Sequence, residues 1–141
     1  MNCCPHLGFN GECREAFEFY RDAFGGTIEM MMTWGESPMA DSAPPALGDY
    51  VLHASMSAGE LRLTGADTPP DKYEKPHGFA VLVGTNSVAE AERIFNVLAA
   101  GGTVQMPLGE TFWAVRFGMV IDRFGIPWMM NCGGDEPGVK N

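Results

Sequence analysis

The chain is short of positive charge. Nine Lys and Arg stand against 18 Asp and Glu, a formal net charge of −9. Such a surface is repelled by nucleic acid and by anionic membranes, so neither is expected as a partner. Solubility accounts for the acidity without a cationic substrate. The four cysteines, Cys3, Cys4, Cys13 and Cys132, contain no C-x-x-C pair, which disfavours a zinc ribbon or a thioredoxin-like site. Adjacent Cys3 and Cys4 would point to opposite faces of a strand and make a poor chelating pair. The reading is four reduced thiols without a catalytic role. The start "MNCCPHLGFNG" lacks the basic residues and apolar run of a signal peptide, and no stretch is long enough to span a bilayer. A cytoplasmic protein is expected. No nucleophile–base arrangement and no phosphate-cradling glycine loop is visible.

What is present is a globular composition, 45% hydrophobic and 19% charged over 141 residues, and a repeat. "AFEFYRDAFGGT" (16–27) returns as "AERIFNVLAAGGT" (91–103). The first copy places Ala16, Phe19, Tyr20, Ala23 and Phe24 on one helical stripe; the second places Ala91, Ile94, Phe95, Leu98 and Ala99. Ser87 and Glu90 predict a capping box for the second helix. Around each helix the pattern is the same. "HLGFNG", "TIEMMMTW", "YVLHASMSA" and "ELRLTGA" read as strands in the first half; "FAVLVG", "TVQMPL", "TFWAVRFGMVID" and "IPWMMNC" do so in the second. Two long loops, 35–49 and 67–78, are rich in Gly, Pro, Ser and Asp, and loops of that length often serve as lids or binding loops. The fold class is therefore α+β, built from two βαβββ modules. The expected division of the single domain 1–141 is module one at 1–66, a linker at 67–76, module two at 77–133 and a frayed tail at 134–141.

Four stretches carry a resemblance: "FNGECREAFEFYRDAFGG" (9–26), "MMTWGESPM" (31–39), "AEAERIFNVLAAGGTVQMPL" (89–108) and "ETFWAVRFGMVIDRFGIPWMMN" (110–131). In these the chain resembles the vicinal oxygen chelate superfamily of glyoxalase I, bleomycin-resistance proteins and extradiol dioxygenases. Within it the chain is similar to the PhnB-like proteins. The resemblance implies a curved, barrel-like mixed sheet with flanking helices, and a homodimer. Some PhnB-like labels mention a ubiquinone-type methyltransferase, but no strand–Gly-rich loop–helix element for S-adenosylmethionine is visible here.

Active superfamily enzymes hold one divalent metal on four inward-facing residues, which chelates adjacent substrate oxygens and stabilises a developing enolate or alkoxide. Carried over without gaps, the four positions fall on Pro5, Arg62, Phe79 and Met129. None is a suitable ligand, and Arg62 would repel a cation. His6 lies one residue out of step, so using it would turn its strand over. His77 lies two residues from Phe79 and would share its face. The expectation is a cavity without metal or other cofactor.

If those four positions face inward, alternation turns Leu7, Phe9, Val81, Val83, Pro127 and Asn131 inward too. The candidate ligand-binding residues are therefore Phe9, Trp34, Glu36, Arg62, His77, Phe79, Met129 and Asn131. An apolar pocket with one guanidinium and one amide suits a small, partly apolar or anionic molecule. Arg62 has an equal alternative, a structural ion pair with Glu29, Glu60 or Glu110. Trp34 has a commoner role packed under the long loop. Trp113 with Arg116 is read as strand core plus a solvated arginine, and Trp128, Met130 and His53 as structural. Two rival readings stay open. One is an enzyme, either metal-dependent (lyase, isomerase or dioxygenase) using His77 and Glu36, or metal-free with Arg62 as electrostatic stabiliser. The other is a structural homodimer whose cavity is filled.

Overall fold

Each half of the chain lays one helix across one face of a four-stranded sheet. The structure, a computed structural model, describes residues 1–133; the tail expected at 134–141 lies outside the described residues. One compact unit spans Met1–Glu74 and a second begins at Lys75.

The first unit runs β1 (His6–Phe9), α1 (Cys13–Phe24), β2 (Thr27–Thr33), β3 (Val51–Ala58) and β4 (Leu61–Asp67). The second runs β5 (Val81–Thr85), α2 (Val88–Ala99), β6 (Thr103–Gly109), β7 (Arg116–Ile121) and β8 (Pro127–Cys132). The sheet orders are β1-β4-β3-β2 and β5-β8-β7-β6. In each, the first strand pairs in parallel with the last and the other ladders are antiparallel. The chain is thus two βαβββ modules. Hydrogen bonding divides the strands into two sheets rather than joining them in one continuous sheet.

The helices form for the reason their apolar spacing gives, with one shift in α1. Its buried residues are Cys13, Ala16, Phe17, Tyr20 and Ala23. Phe17 takes the core place expected for Phe19, because Phe9 of β1 meets it edge-on with ring centroids 6.2 Å apart. In α2 the buried residues are Ala91, Ile94, Phe95 and Leu98. Ser87 caps α2 by accepting from the Glu90 N–H at 3.1 Å. The Glu90 carboxylate does not return to Ser87; it accepts from the Thr85 hydroxyl at 2.8 Å, which ties α2 to β5.

Each unit also buries one aspartate at a strand end. Asp67 closes β4 and accepts from Cys13 N and Val51 N, both at 2.9 Å. It caps α1, which has no local side-chain cap, and fixes the start of β3. Asp122 follows β7 and accepts from Phe124 N at 2.9 Å, Ile126 N at 3.0 Å and the Trp128 indole N–H at 2.8 Å. The segment before β7 is not strand. Thr111 N donates to Ala114 O at 3.1 Å, and Ala114 N donates to the Thr111 hydroxyl at 3.1 Å, closing a turn.

Candidate ligand-binding faces

Which side chains are available to a ligand follows from which face of each sheet its helix covers. In the first unit Leu7 and Phe9 are each only 1% exposed, and Phe9 packs on Phe17 and Tyr20 of α1. Alternation then turns His6 and Gly8 to the open face, away from α1. Across the ladders His6 is registered with Thr64, Thr64 with Ser55, Ser55 with Met30, Arg62 with Ser57, and His53 with Met32. The open face of this sheet therefore carries His6, Arg62, Thr64, Ser55, Ser57 and His53. The face is mainly polar, with one permanent cation at Arg62, and Met30 and Met32 of β2 share it.

Arg62 makes that surface receptive to anions, and His6 adds a hydrogen-bonding ring rather than a charge. Arg62 is exposed and has no ion-pair partner in the first unit; the structural pair with Glu29 or Glu60 does not form. His6 Nδ1 lies 2.8 Å from the Thr64 hydroxyl. Its pKa falls below the ordinary 6.5, chiefly because burial disfavours the charged ring and secondly because His53 lies nearby. The unfolded chain thus binds this proton more readily. The stability His6 contributes is present above its unfolded pKa and lost as pH falls through the lower, folded one. An NMR titration should find the His6 midpoint below 6.5. His53→Gln should raise it only part way, since the larger cause remains. A midpoint above the ordinary value would show that the ring is not desolvated.

In the second unit the helix side is taken by Val81, Val120, Trp128 and Met130, all buried. Its open face carries Leu82 and Gly84 on β5, Met129 and Asn131 on β8, and Phe117 and Met119 on β7, as the register pairs them. Leu82 is 53% exposed, whereas Asn131 is 2% exposed. Trp113 meets Phe117 edge-on with centroids 5.3 Å apart. Arg116 lies on the helix side, its Nε 3.8 Å from a Glu92 carboxylate oxygen, so it does not join Trp113. A cleft of ≈ 540 Å³ between α2 and β6, lined by Glu92, Phe95, Asn96, Val104, Pro107 and Leu108, also lies on the helix side.

The candidates from sequence divide accordingly. Arg62, Met129 and Asn131 stand on open faces. Phe9 does not, nor do Leu7, Val81 and Val83: these β-strands spend their bulky apolar residues on the helix-covered side. Phe79 is 51% exposed and precedes β5. His77 is also outside β5, and Gly78 between them has φ 80°, so the reversal there breaks the alternation that would give His77 and Phe79 one face. Glu36 is bound into a turn at the end of β2, where its carboxylate accepts from Thr33 N at 3.1 Å and the Thr33 hydroxyl at 2.9 Å. Those two donors, the backbone one first, hold its pKa below the ordinary carboxylate value. Trp34 is half-buried, and its carbonyl accepts from Ser37 N and the Ser37 hydroxyl. The 35–49 loop is tied at its base by Gly35 N donating to Gly48 O at 2.9 Å. His6 and His53 are the open-face residues that sequence reasoning set aside. The signal was the pair Leu7 and Phe9, the only bulky apolar residues of β1, which a helix-covered face needs.

Comparison with known proteins now decides the family. The profile of the Glyoxalase/Bleomycin resistance protein/Dioxygenase superfamily matches residues 5–130. The chain belongs to that superfamily. It is 31% identical to protein YjdN of Escherichia coli (strain K12) over 145 residues, 97% of this chain and 99% of YjdN. Protein PA1353 from Pseudomonas aeruginosa has a crystal structure similar at TM-score 0.87 and 47% identity, covering 96% of this chain and 99% of that one. The PhnB protein from Bacillus cereus shares the fold at TM-score 0.79 and 22% identity, over 94% of this chain and 100% of that one.

Membership of the glyoxalase superfamily raises the question of its metal. Among the described residues no three His, Cys, Asp or Glu side chains gather as a metal site would require. The second sheet's open face presents Leu82, Gly84, Met129 and Asn131 on β5 and β8, none of them a hard or borderline anionic or imidazole ligand. The residues of this second face do not fit a divalent metal, and the first face brings only the imidazoles of His6 and His53. Among the described residues no helix is long and apolar enough to cross a membrane.

Proposed function

We propose that this PhnB-like chain binds a small anionic molecule, without a metal, on the open face of its first sheet, and that it does so as a cytoplasmic homodimer. The observation that carries the reading is Arg62. A guanidinium without a carboxylate partner, on a face shared with two histidines and three hydroxyl residues, matches a carboxylate or phosphate by charge and by its forked donors. The hydroxyls of Ser55, Ser57 and Thr64 add donors without adding negative charge. The dimer is supported by exposed apolar side chains in the second unit, with Val104 at 44% and Phe112 at 96% exposure, surface that a second copy would cover.

Thermal-shift titration tests this. Benzoate or inorganic phosphate should raise the melting temperature, because a ligand that binds only the folded chain at about 100 times its Kd adds about 2.7 kcal/mol. Arg62→Gln should remove the rise while leaving the unliganded melting temperature within about 1–2 °C, since an exposed side chain without an ion pair contributes little to stability. Sedimentation should give the mass of two chains. A melting temperature that rises instead with zinc, nickel or manganese would overturn the metal-free reading.

A further inference from the structure

The second unit buries a polar group that the fold leaves unsatisfied. Asn131 is 2% exposed, and neither its Nδ2 nor its Oδ1 has a hydrogen-bond partner. Buried side-chain amides are nearly always paired, so one that is not calls for a partner from outside the chain. Its surroundings say what kind. Asn131 is registered between Phe117 on β7 and Gly84 on β5, all turned to the open face. Gly84 is exposed. A Cβ there would meet nothing nearer than the Asn131 carbonyl oxygen at 3.9 Å, and its φ is not in the left-handed region. So this glycine is required neither by its backbone nor by packing; what it leaves is a notch on β5 in register with Asn131.

The walls of the notch are apolar. Leu82, Phe117, Met119 and Met129 share the face, and Trp113 stands edge-on to Phe117. None is charged, so an ion brought here would lose its hydration with no opposite charge to replace it. A primary carboxamide presents an acceptor and a donor side by side. Its complement is a group that presents a donor and an acceptor in the same way. A carboxylate would set one of its oxygens against Asn131 Oδ1.

We propose that the Gly84–Asn131 notch binds the edge of a neutral carboxamide or lactam carried on a flat apolar molecule. The half-buried Trp113 indole, which has no hydrogen-bond partner among the described residues, swings off Phe117 to admit it. This deepens the small-molecule reading and rests on it only in taking the chain to be a receptor for small molecules.

The test is ¹⁵N NMR of the full chain titrated separately with benzamide and with benzoate, which share a ring and differ in the polar edge. Benzamide should move the Asn131 side-chain NH₂ pair and the Gly84 backbone amide; benzoate should leave both in place and move the Arg62 Nε–H. Gly84→Val should fill the notch, keep the wild-type fold and weaken the benzamide response at least tenfold. Asn131→Leu should abolish that response with a melting temperature equal to or above wild type, because it removes an unsatisfied buried amide. If Asn131→Leu lowers the melting temperature by several degrees, the amide has a structural partner such as a bound water, and the inference fails. It also fails if benzamide leaves Asn131 unmoved, or if benzoate moves it instead. In those cases an Arg62 response to benzoate keeps the anion reading standing, and silence at both places removes both.

Discussion

Asp122→Ala should lower the melting temperature by on the order of 10 °C. The residue is 2% exposed, and its two oxygens accept from Phe124 N, Ile126 N and the Trp128 indole. Alanine leaves those donors buried without an acceptor, at about 1–3 kcal/mol each, so a loss of roughly 4 kcal/mol or more is expected. Asp122→Asn should be nearly as damaging for a different reason. Its oxygen can replace one carboxylate oxygen, but its NH₂ group then faces a donor, either the indole or the pair of backbone N–H groups. Trp128→Phe removes the indole donor while keeping an aromatic ring in the core, at about 1–2 kcal/mol. The two changes share one contact, so they should not add. Denaturant unfolding of the two single variants and the double variant measures this. A double variant whose loss equals the sum of the singles would show that the Asp122–Trp128 bond contributes nothing.

The same aspartate gives "DRFGIPW" a structural role. Asp122 accepts the turn's N–H groups, Gly125 takes φ 90°, and Trp128 returns its indole to Asp122. The stretch fixes the β7–β8 hairpin, and Met129 and Asn131 beyond it stand on the open face. Local patterns of this kind were legible in the chain: both helices, the Ser87 cap and the order of the strands follow from spacing over a few residues. Contacts across the fold were not. Asp67 caps α1 from 54 residues away, and nothing near Glu12 announces it. The assignment of faces failed for a related reason. Alternation says which residues share a face but not which face the helix covers, and the family's gap-free spacing put Pro5 and not His6 inside. The buried pair Leu7 and Phe9 reverses that choice in the structure. One residue of register therefore separates an apolar cavity lining from the polar face that His6, His53 and Arg62 form.

The repeated Gly-Gly-Thr triplets carry the second large effect. Within each pair of glycines the two positions should respond differently to alanine. Gly25 ends α1 with φ 66°, a left-handed conformation, and a Cβ there would meet nothing within 4 Å. Gly25→Ala is therefore a conformational change alone, at about 1 kcal/mol, and Gly25→Asn should cost less. Gly26 has an ordinary φ, but its Cβ would lie 2.5 Å from the Ser57 carbonyl oxygen and 2.9 Å from the Ala58 Cβ. These are groups of the β3 strand that cannot rotate away. The second copy repeats the division: Gly101 has φ 75°, while a Cβ on Gly102 would collide with the Ile121 carbonyl oxygen and lie 3.0 Å from the Asp122 Cα. Relief requires parting β2 from β3, or β6 from β7. Gly26→Ala and Gly102→Ala should thus cost more than about 3 kcal/mol each, at or beyond the usual limit for overpacking. Urea unfolding of the four alanine variants orders them. Equal losses at Gly25 and Gly26 would mean that the backbone conformation alone selects the repeat. A loss concentrated at Gly26 and Gly102 means that the triplet is kept by the closeness with which each helix exit passes the neighbouring strand. In that case the repeat records a packing requirement of the βαβββ module itself, independent of whatever either open face binds.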